Sequence, residues 1–208
     1  MKEFLPKNNF AILSGPNFAV EVAVKSPTIT TIASTNKSSA NKIISLLKND
    51  YFLPIYSDDV ITTQLSGAIK NILAIGCGII EGLGIGENAK AALVTKGAME
   101  IISLSKKLGN NSANLLTPAG FGDLFLTCSS QKSRNFSLGV LIGEGKNPAE
   151  ILNEDHTVYE GARAAKSISE IARKSKINLP VCAAIHNILY KQNTKKNIRD
   201  IIQKSIQL

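Results

Sequence analysis

The spacing of apolar positions changes once along the 208-residue chain. Residues 10 to 56 alternate short β-branched runs with helical stretches: FAIL, a turn at Ser14-Gly15-Pro16, a helix-like FAVEVAVK, then TITTIAS, NKSSANKIISLLKN and FLPIYS. That alternation predicts the closing elements of an α/β sheet. From Asp59 onward the strand signals stop. Apolar residues recur at helical spacing through Ile61, Leu65, Ile69, Ile72, Ile75 and Ile79. The chain is therefore expected to be mainly α, with an all-helical domain over residues 58–208 preceded by α/β elements over residues 1–57. The boundary near Tyr56 to Asp59 is a shift of pattern rather than a linker.

Punctuation supports the helical reading. Gly82-Leu83-Gly84-Ile85-Gly86-Glu87-Asn88 breaks the pattern, and AKAALVTKGAMEIISLSKKLG predicts a helix that ends at Gly109. Further helices are expected near 137 to 143, around 161 to 175, and from Val181 to the end with Pro180 at the start. The GLGIGEN break begins like a dinucleotide fingerprint but has Glu87 where a glycine is needed, and no strand delivers the chain into it. It reads as a helix-to-helix hinge.

Composition narrows the class. With 44% hydrophobic residues and a mean hydropathy of +0.06, the chain fits a globular protein. No uninterrupted apolar run reaches the roughly 18 residues that span a bilayer, and the segment MKEFLPKNNFAILSG lacks a signal-peptide pattern. A cytoplasmic address is expected. Cys77, Cys128 and Cys182 are far apart and never in CxxC spacing, so neither a disulfide framework nor a metal site is suggested. His156 and His186 lack ligand-type neighbours at metal spacing. The formal charge of +8 suits an anionic partner, yet the lysines are scattered and not interleaved with aromatics as nucleic acid would require. A small phosphorylated substrate is the more economical choice.

Two stretches carry candidate chemistry. Between Asp59 and Glu81 the sole charged residue is Lys70, beside Asn71, in a stretch whose composition predicts a buried helix. Desolvation disfavours an ammonium, so such a lysine is poised for proton transfer, unless it snorkels to a helix edge. The second stretch runs from Pro118 through Gly120, Phe121, Gly122, Asp123 and Thr127 to Ser133-Arg134-Asn135. Glycines flanking Phe121 let backbone approach something closely, and Asp123 and Thr127 share a face if helical. Ser-Arg-Asn suits an oxyanion, the guanidinium fork matching phosphate, or else is a polar turn opening a helix.

These segments resemble bacterial-type glycerol-3-phosphate dehydrogenases: LSGPNFAVEV, GAIKNILAIGCGIIEGLGIGENAKAALVTKGAMEI, GFGDLFLTCSS, and SRN followed by VYEGARAA. The resemblance runs over essentially the whole chain in the family's order. It implies hydride transfer between NADP or NAD and C2 of the glycerol phosphate skeleton, converting dihydroxyacetone phosphate to sn-glycerol 3-phosphate for glycerophospholipid synthesis. On this resemblance Lys70 is the catalytic proton donor or acceptor. Gly15, Asn17, Asn71, Asp123, Thr127, Ser133, Arg134 and Asn135 join it at the substrate, and Ala19, Arg134, Val158 and Glu160 meet the cofactor. Asn17 departs from the serine or threonine usual in GPSFA. The larger departure is upstream. Relatives begin with a Rossmann-type unit of roughly 120 further residues bearing GxGxxG and another substrate-site lysine, so residues 1–57 would be its remnant.

Without that unit the chain is expected to be inactive alone, with strand edges left bare, and a complementing amino-terminal fragment would be its partner. A homodimer is also expected on general grounds. The other readings are a non-catalytic helical module for self-association or metabolite binding, and a different hydroxyacid dehydrogenase. The SRN phosphate grip argues against the last.

Overall fold

The computed structural model describes residues 9–110, 114–154, 158–191 and 195–207. Residues 1–8, MKEFLPKN, and His156 lie outside the described residues. The chain opens with a small α/β unit: β1 (Ile12–Ser14), α1 (Ala19–Ala23), β2 (Thr28–Ala33), α2 (Lys37–Leu47) and β3 (Phe52–Ser57). The sheet order is β1-β2-β3. β1 runs antiparallel to β2, with Leu13 opposite Ile32. β3 runs parallel to β2, with Ile29 opposite Leu53. Asn36 caps α2 by accepting from the Ser39 N–H at 2.9 Å. Among the described residues β1 and β3 are the sheet's edges, and Leu13, Val20, Val24, Ile29, Leu46 and Leu53 are exposed apolar side chains on this unit.

The rest is helical. α3 (Val60–Gly82) is followed by α4 (Glu87–Lys107), then by a π-helical turn at Pro118–Gly122 that runs straight into α5 (Asp123–Ser129). α6 (Arg134–Glu144), α7 (Pro148–Glu154), α8 (Glu160–Ser175), α9 (Pro180–Tyr190) and α10 (Lys195–Gln207) complete the order. Three expectations need correction. α6 begins at Arg134, earlier than 137, because Ser133 caps it by accepting from the Phe136 N–H. α7 was not foreseen. Its start is fixed by Pro148 behind Asn147, whose side-chain oxygen accepts from the Ala149 N–H at 3.0 Å. The stretch after Pro180 forms two helices, since Lys191 turns extended after α9.

α3 is the axis of the helical part. Ile69, Ile72, Leu73, Ile75, Ile79 and Ile80 are all fully buried on it. It is a single helix of 23 residues, long and apolar enough by length and composition to cross a membrane, although polar residues such as Gln64, Lys70 and Asn71 interrupt its apolar run. Other helices surround it, so its apolar character is that of a core. The closest neighbour is α6. A Cβ added to Gly78 would lie 2.0 Å from the Phe136 carbonyl oxygen, and one added to Gly139 would lie 2.1 Å from that of Ile75. One turn on, Gly82 and Gly143 repeat the arrangement at 2.3 and 2.5 Å from Val140 and Ile79. Small residues four apart on both helices let the backbones touch, a spacing that elsewhere serves membrane helices. The Gly84 and Gly86 positions of the GLGIG break have positive φ values of 62° and 112°, and an added Cβ would meet nothing within 4 Å. Those glycines serve the hinge between α3 and α4.

A buried carboxylate ties α4 to α9. Glu100 accepts the N–H groups of Val181 at 2.6 Å and Cys182 at 3.1 Å, capping a helix whose own N-cap residue, Leu179, supplies no side-chain bond. Burial raises the Glu100 pKa above the ordinary carboxylate range, against the lowering effect of these bonds. The folded chain thus holds this proton more tightly than the unfolded one. The group's stability contribution falls as pH rises from the ordinary carboxylate pKa through the raised one. Glu100→Ala should lower stability by about 2–3 kcal/mol at neutral pH by orphaning two buried donors. In thermal melts its deficit should widen from pH 7 toward pH 5.

Candidate active site

The tight α3–α6 crossing brings the start of α6 beside Lys70 and Asn71 on α3, because Asn135 stands one turn before Gly139. Asn135 donates to the Asn71 side-chain oxygen at 3.0 Å and accepts the Gly161 N–H at 3.0 Å. Asn71 in turn donates to the Gly67 carbonyl at 3.1 Å and to Glu160 at 3.2 Å. This chain of amides fixes the first turn of α8 on α3. Gly161 permits it, since a Cβ there would lie 2.5 Å from the Asn71 carbonyl oxygen.

Next to it lies an ion pair. Lys70 Nζ is 2.5 Å from Asp123 Oδ2, with side-chain exposures of 21% and 4%. The lysine is therefore neither an isolated desolvated charge nor a snorkelling one, since the first residue of α5 supplies its carboxylate. Thr127, one turn on, donates to Asp123 Oδ1 at 3.2 Å, so the two share a helix face as expected. The Ser14 hydroxyl, at the end of β1, lies close enough to lower the Asp123 pKa. Burial raises the Asp123 pKa above the ordinary aspartate range, and the Lys70 ammonium offsets part of that rise. The glycines around Phe121 serve the protein itself. A Cβ on Gly120 would lie 2.2 Å from the Leu115 carbonyl oxygen, and one on Gly122 would meet Pro16 at 3.4 Å.

These groups surround an open cleft of about 240 Å³. Gly15, Asn17, Lys70, Asn71, Asp123, Thr127, Ser133, Arg134 and Asn135 all line it, as does Glu160. Ala19 and Val158 do not. Ala19 opens α1 directly after the lining residue Phe18, and Val158 is an exposed side chain two residues before Glu160. Gly15 leaves room for Thr30, whose Oγ1 an added Cβ would meet at 2.8 Å. Asn17 spends its donor on Thr30 Oγ1 at 3.3 Å, while its buried side-chain oxygen has no partner among the described residues. Ser133 is spent as the α6 cap, so the polar-turn reading holds for it, whereas Arg134 is exposed at the cleft with no hydrogen bond or ion pair among the described residues.

Sequence reasoning missed Ser14, Phe18, Leu126 and Lys132. Each meets the site only through tertiary packing. Among the described residues no cluster of three or more His, Cys, Asp or Glu could hold a metal ion. His186 sits on α9 against Tyr190, outside the lining, and burial lowers its pKa. The three cysteines are free and buried.

Comparisons with known proteins give the family and the fold. Residues 59–200 match the family model for the NAD-dependent glycerol-3-phosphate dehydrogenase C-terminus, and residues 1–40 match that for the N-terminus. A glycerol-3-phosphate dehydrogenase (NAD(P)+) of Rhodospirillum rubrum is 44% identical over 185 residues, covering 89% of this chain and 53% of that protein. The enzyme of the same name from Ehrlichia chaffeensis is 40% identical over 205 residues, covering 97% and 63%. The crystal structure of the Coxiella burnetii glycerol-3-phosphate dehydrogenase superposes with a TM-score of 0.92 at 34% identity, over 100% of this chain and 63% of that one. The chain thus spans between about half and two thirds of the length of these relatives. With a family model covering well over half of it, the chain belongs to the NAD-dependent glycerol-3-phosphate dehydrogenase family.

Proposed function

We propose that this chain forms the substrate half of an NAD(P)-dependent glycerol-3-phosphate dehydrogenase, interconverting dihydroxyacetone phosphate and sn-glycerol 3-phosphate for glycerophospholipid synthesis. The observation that carries the reading is the Lys70–Asp123 pair at 2.5 Å on the wall of a cleft that also presents Arg134, unpaired among the described residues. Lys70 holds a proton at Nζ for delivery to the C2 oxygen on reduction, and takes it back on oxidation. Asp123 stabilises the ammonium and aims it, and Thr127 holds Asp123 in turn. Arg134, at the start of α6, grips the phosphate with the helix's positive end behind it. Asn71 and Asn135 set the distance between the two.

The nicotinamide cofactor, when bound, supplies the hydride at C2. The donor set here fits only part of it. Arg134 and Glu160 at the cleft, with Ala19 and the exposed Val158 beside it, suit one side of a dinucleotide, but the GLGIG hinge joins two helices and offers no strand-to-helix turn for a pyrophosphate. We therefore divide the chain into residues 1–57, belonging with a dinucleotide-binding domain, and residues 58–208, the substrate domain. An amino-terminal α/β fragment is the proposed partner. The edges of β1 and β3, unpaired among the described residues, and the exposed Leu13, Ile29 and Leu53 suit it. The cytoplasm, where three unpaired thiols stay reduced, is the matching compartment.

Calorimetric titration of sn-glycerol 3-phosphate into the purified chain tests the reading. Binding is expected, and Arg134→Ala should weaken it by about tenfold or more while leaving the melting temperature unchanged. Equal affinity for glycerol and sn-glycerol 3-phosphate would contradict it.

A further inference from the structure

Resting on the phosphate-binding reading of the cleft, we propose that Lys132 is a further cationic ligand for the substrate's phosphate, held in reserve by Glu21. Lys132 lies in the loop between α5 and α6, two residues before Arg134, and lines the cleft. Its Nζ is 2.9 Å from Glu21 Oε1, and the two side chains are 64% and 43% exposed. An ion pair so open to water contributes little and exchanges partners easily.

Charge balance supplies the reason for the exchange. A phosphate monoester carries between one and two negative charges near neutral pH. Of the three cations that line the cleft among the described residues, Lys70 is committed to Asp123, and Arg134 alone leaves the ester undercompensated. Lys132 is the third. Its present partner belongs to α1, on the α/β side of the cleft, whereas Lys132 itself belongs to the helical side. The pair therefore ties α1 to the α5–α6 loop beside the cleft. An arriving phosphate competes with Glu21 for the ammonium, so Glu21 weakens anion binding and Lys132 strengthens it.

The test is titration of sn-glycerol 3-phosphate, and separately of inorganic phosphate, into the full chain and its variants. Lys132→Gln should weaken both by about tenfold, and Lys132→Arg should restore them. Glu21→Gln should tighten both several-fold in the parent, yet do nothing in the Lys132→Gln background. Lys106→Gln, at the far end of α4, controls for general surface charge and should leave both affinities unchanged. If Arg134→Ala abolishes binding while Lys132→Gln and Glu21→Gln change nothing, the Lys132 assignment is overturned and the site reading stands. If the folded parent and the Glu21→Gln variant both fail to bind either anion, the site reading falls and the Lys132 assignment with it.

Discussion

Lys70→Met, assayed with a relative's dinucleotide-binding domain fused ahead of Met1, is expected to lower kcat by about 10²–10⁴-fold while KM for dihydroxyacetone phosphate changes little. Methionine keeps the length and apolar stem of the lysine within α3 but removes the ammonium that pairs with Asp123. The loss falls on kcat because the proposed phosphate grip lies elsewhere, at Arg134 on the cleft wall at the start of α6. A stability penalty accompanies it, since a buried carboxylate deprived of its cation is strongly disfavoured. Burial already pushes the Asp123 pKa up, and without Lys70 it must rise further. Adding Asp123→Asn should therefore recover much of the lost stability and none of the turnover. A double variant as active as the parent would remove the pair from the mechanism.

The second large effect is structural. Gly139→Ala should destabilise the chain by about 3 kcal/mol or more, a fall of roughly 6–12 °C in melting temperature for a chain of this size. The added methyl would sit 2.1 Å from the Ile75 carbonyl oxygen and 2.9 Å from the Gly78 Cα, both backbone atoms that no side-chain rotation can move. α3 and α6 would have to part. Because Asn135 and Asn71 are bonded across that crossing, the cleft would widen as well, so substrate affinity should fall together with stability. Gly67→Ala in α3 is the contrast. Its Cβ would meet only the Ser14 hydroxyl at 3.8 Å, and replacing a helical glycine by alanine then stabilises by up to about 1 kcal/mol. Chemical denaturation of the two variants side by side separates close helix packing from a general intolerance of α3 to change.

The α/β elements and the long helices were legible because each carries its own period: TITTIAS and FLPIYS became β2 and β3, and the apolar series from Ile61 to Ile79 became α3. Lys70 stood out as a charge in an apolar helix, although its partner lies 53 residues away and could be matched to it only through the family resemblance. Ser14, Lys132 and the Glu100 cap of α9 were not legible at all, since each acts across elements that only the folded chain brings together. The paired glycines of α3 and α6 are visible as letters. A glycine in a helix, however, reads as a weakness until the facing backbone is known. The short helix α7 escaped because seven residues give too little period to read.

The reading of this cleft as a phosphorylated-ketone site with Lys70 as its proton carrier is tested most directly by the turnover of the fused protein with NAD(P)H. Dihydroxyacetone phosphate should be reduced, unphosphorylated dihydroxyacetone should not, and Lys70→Met should abolish the difference by abolishing the reaction. Equal rates for the two ketones, or undiminished turnover in Lys70→Met, would contradict it.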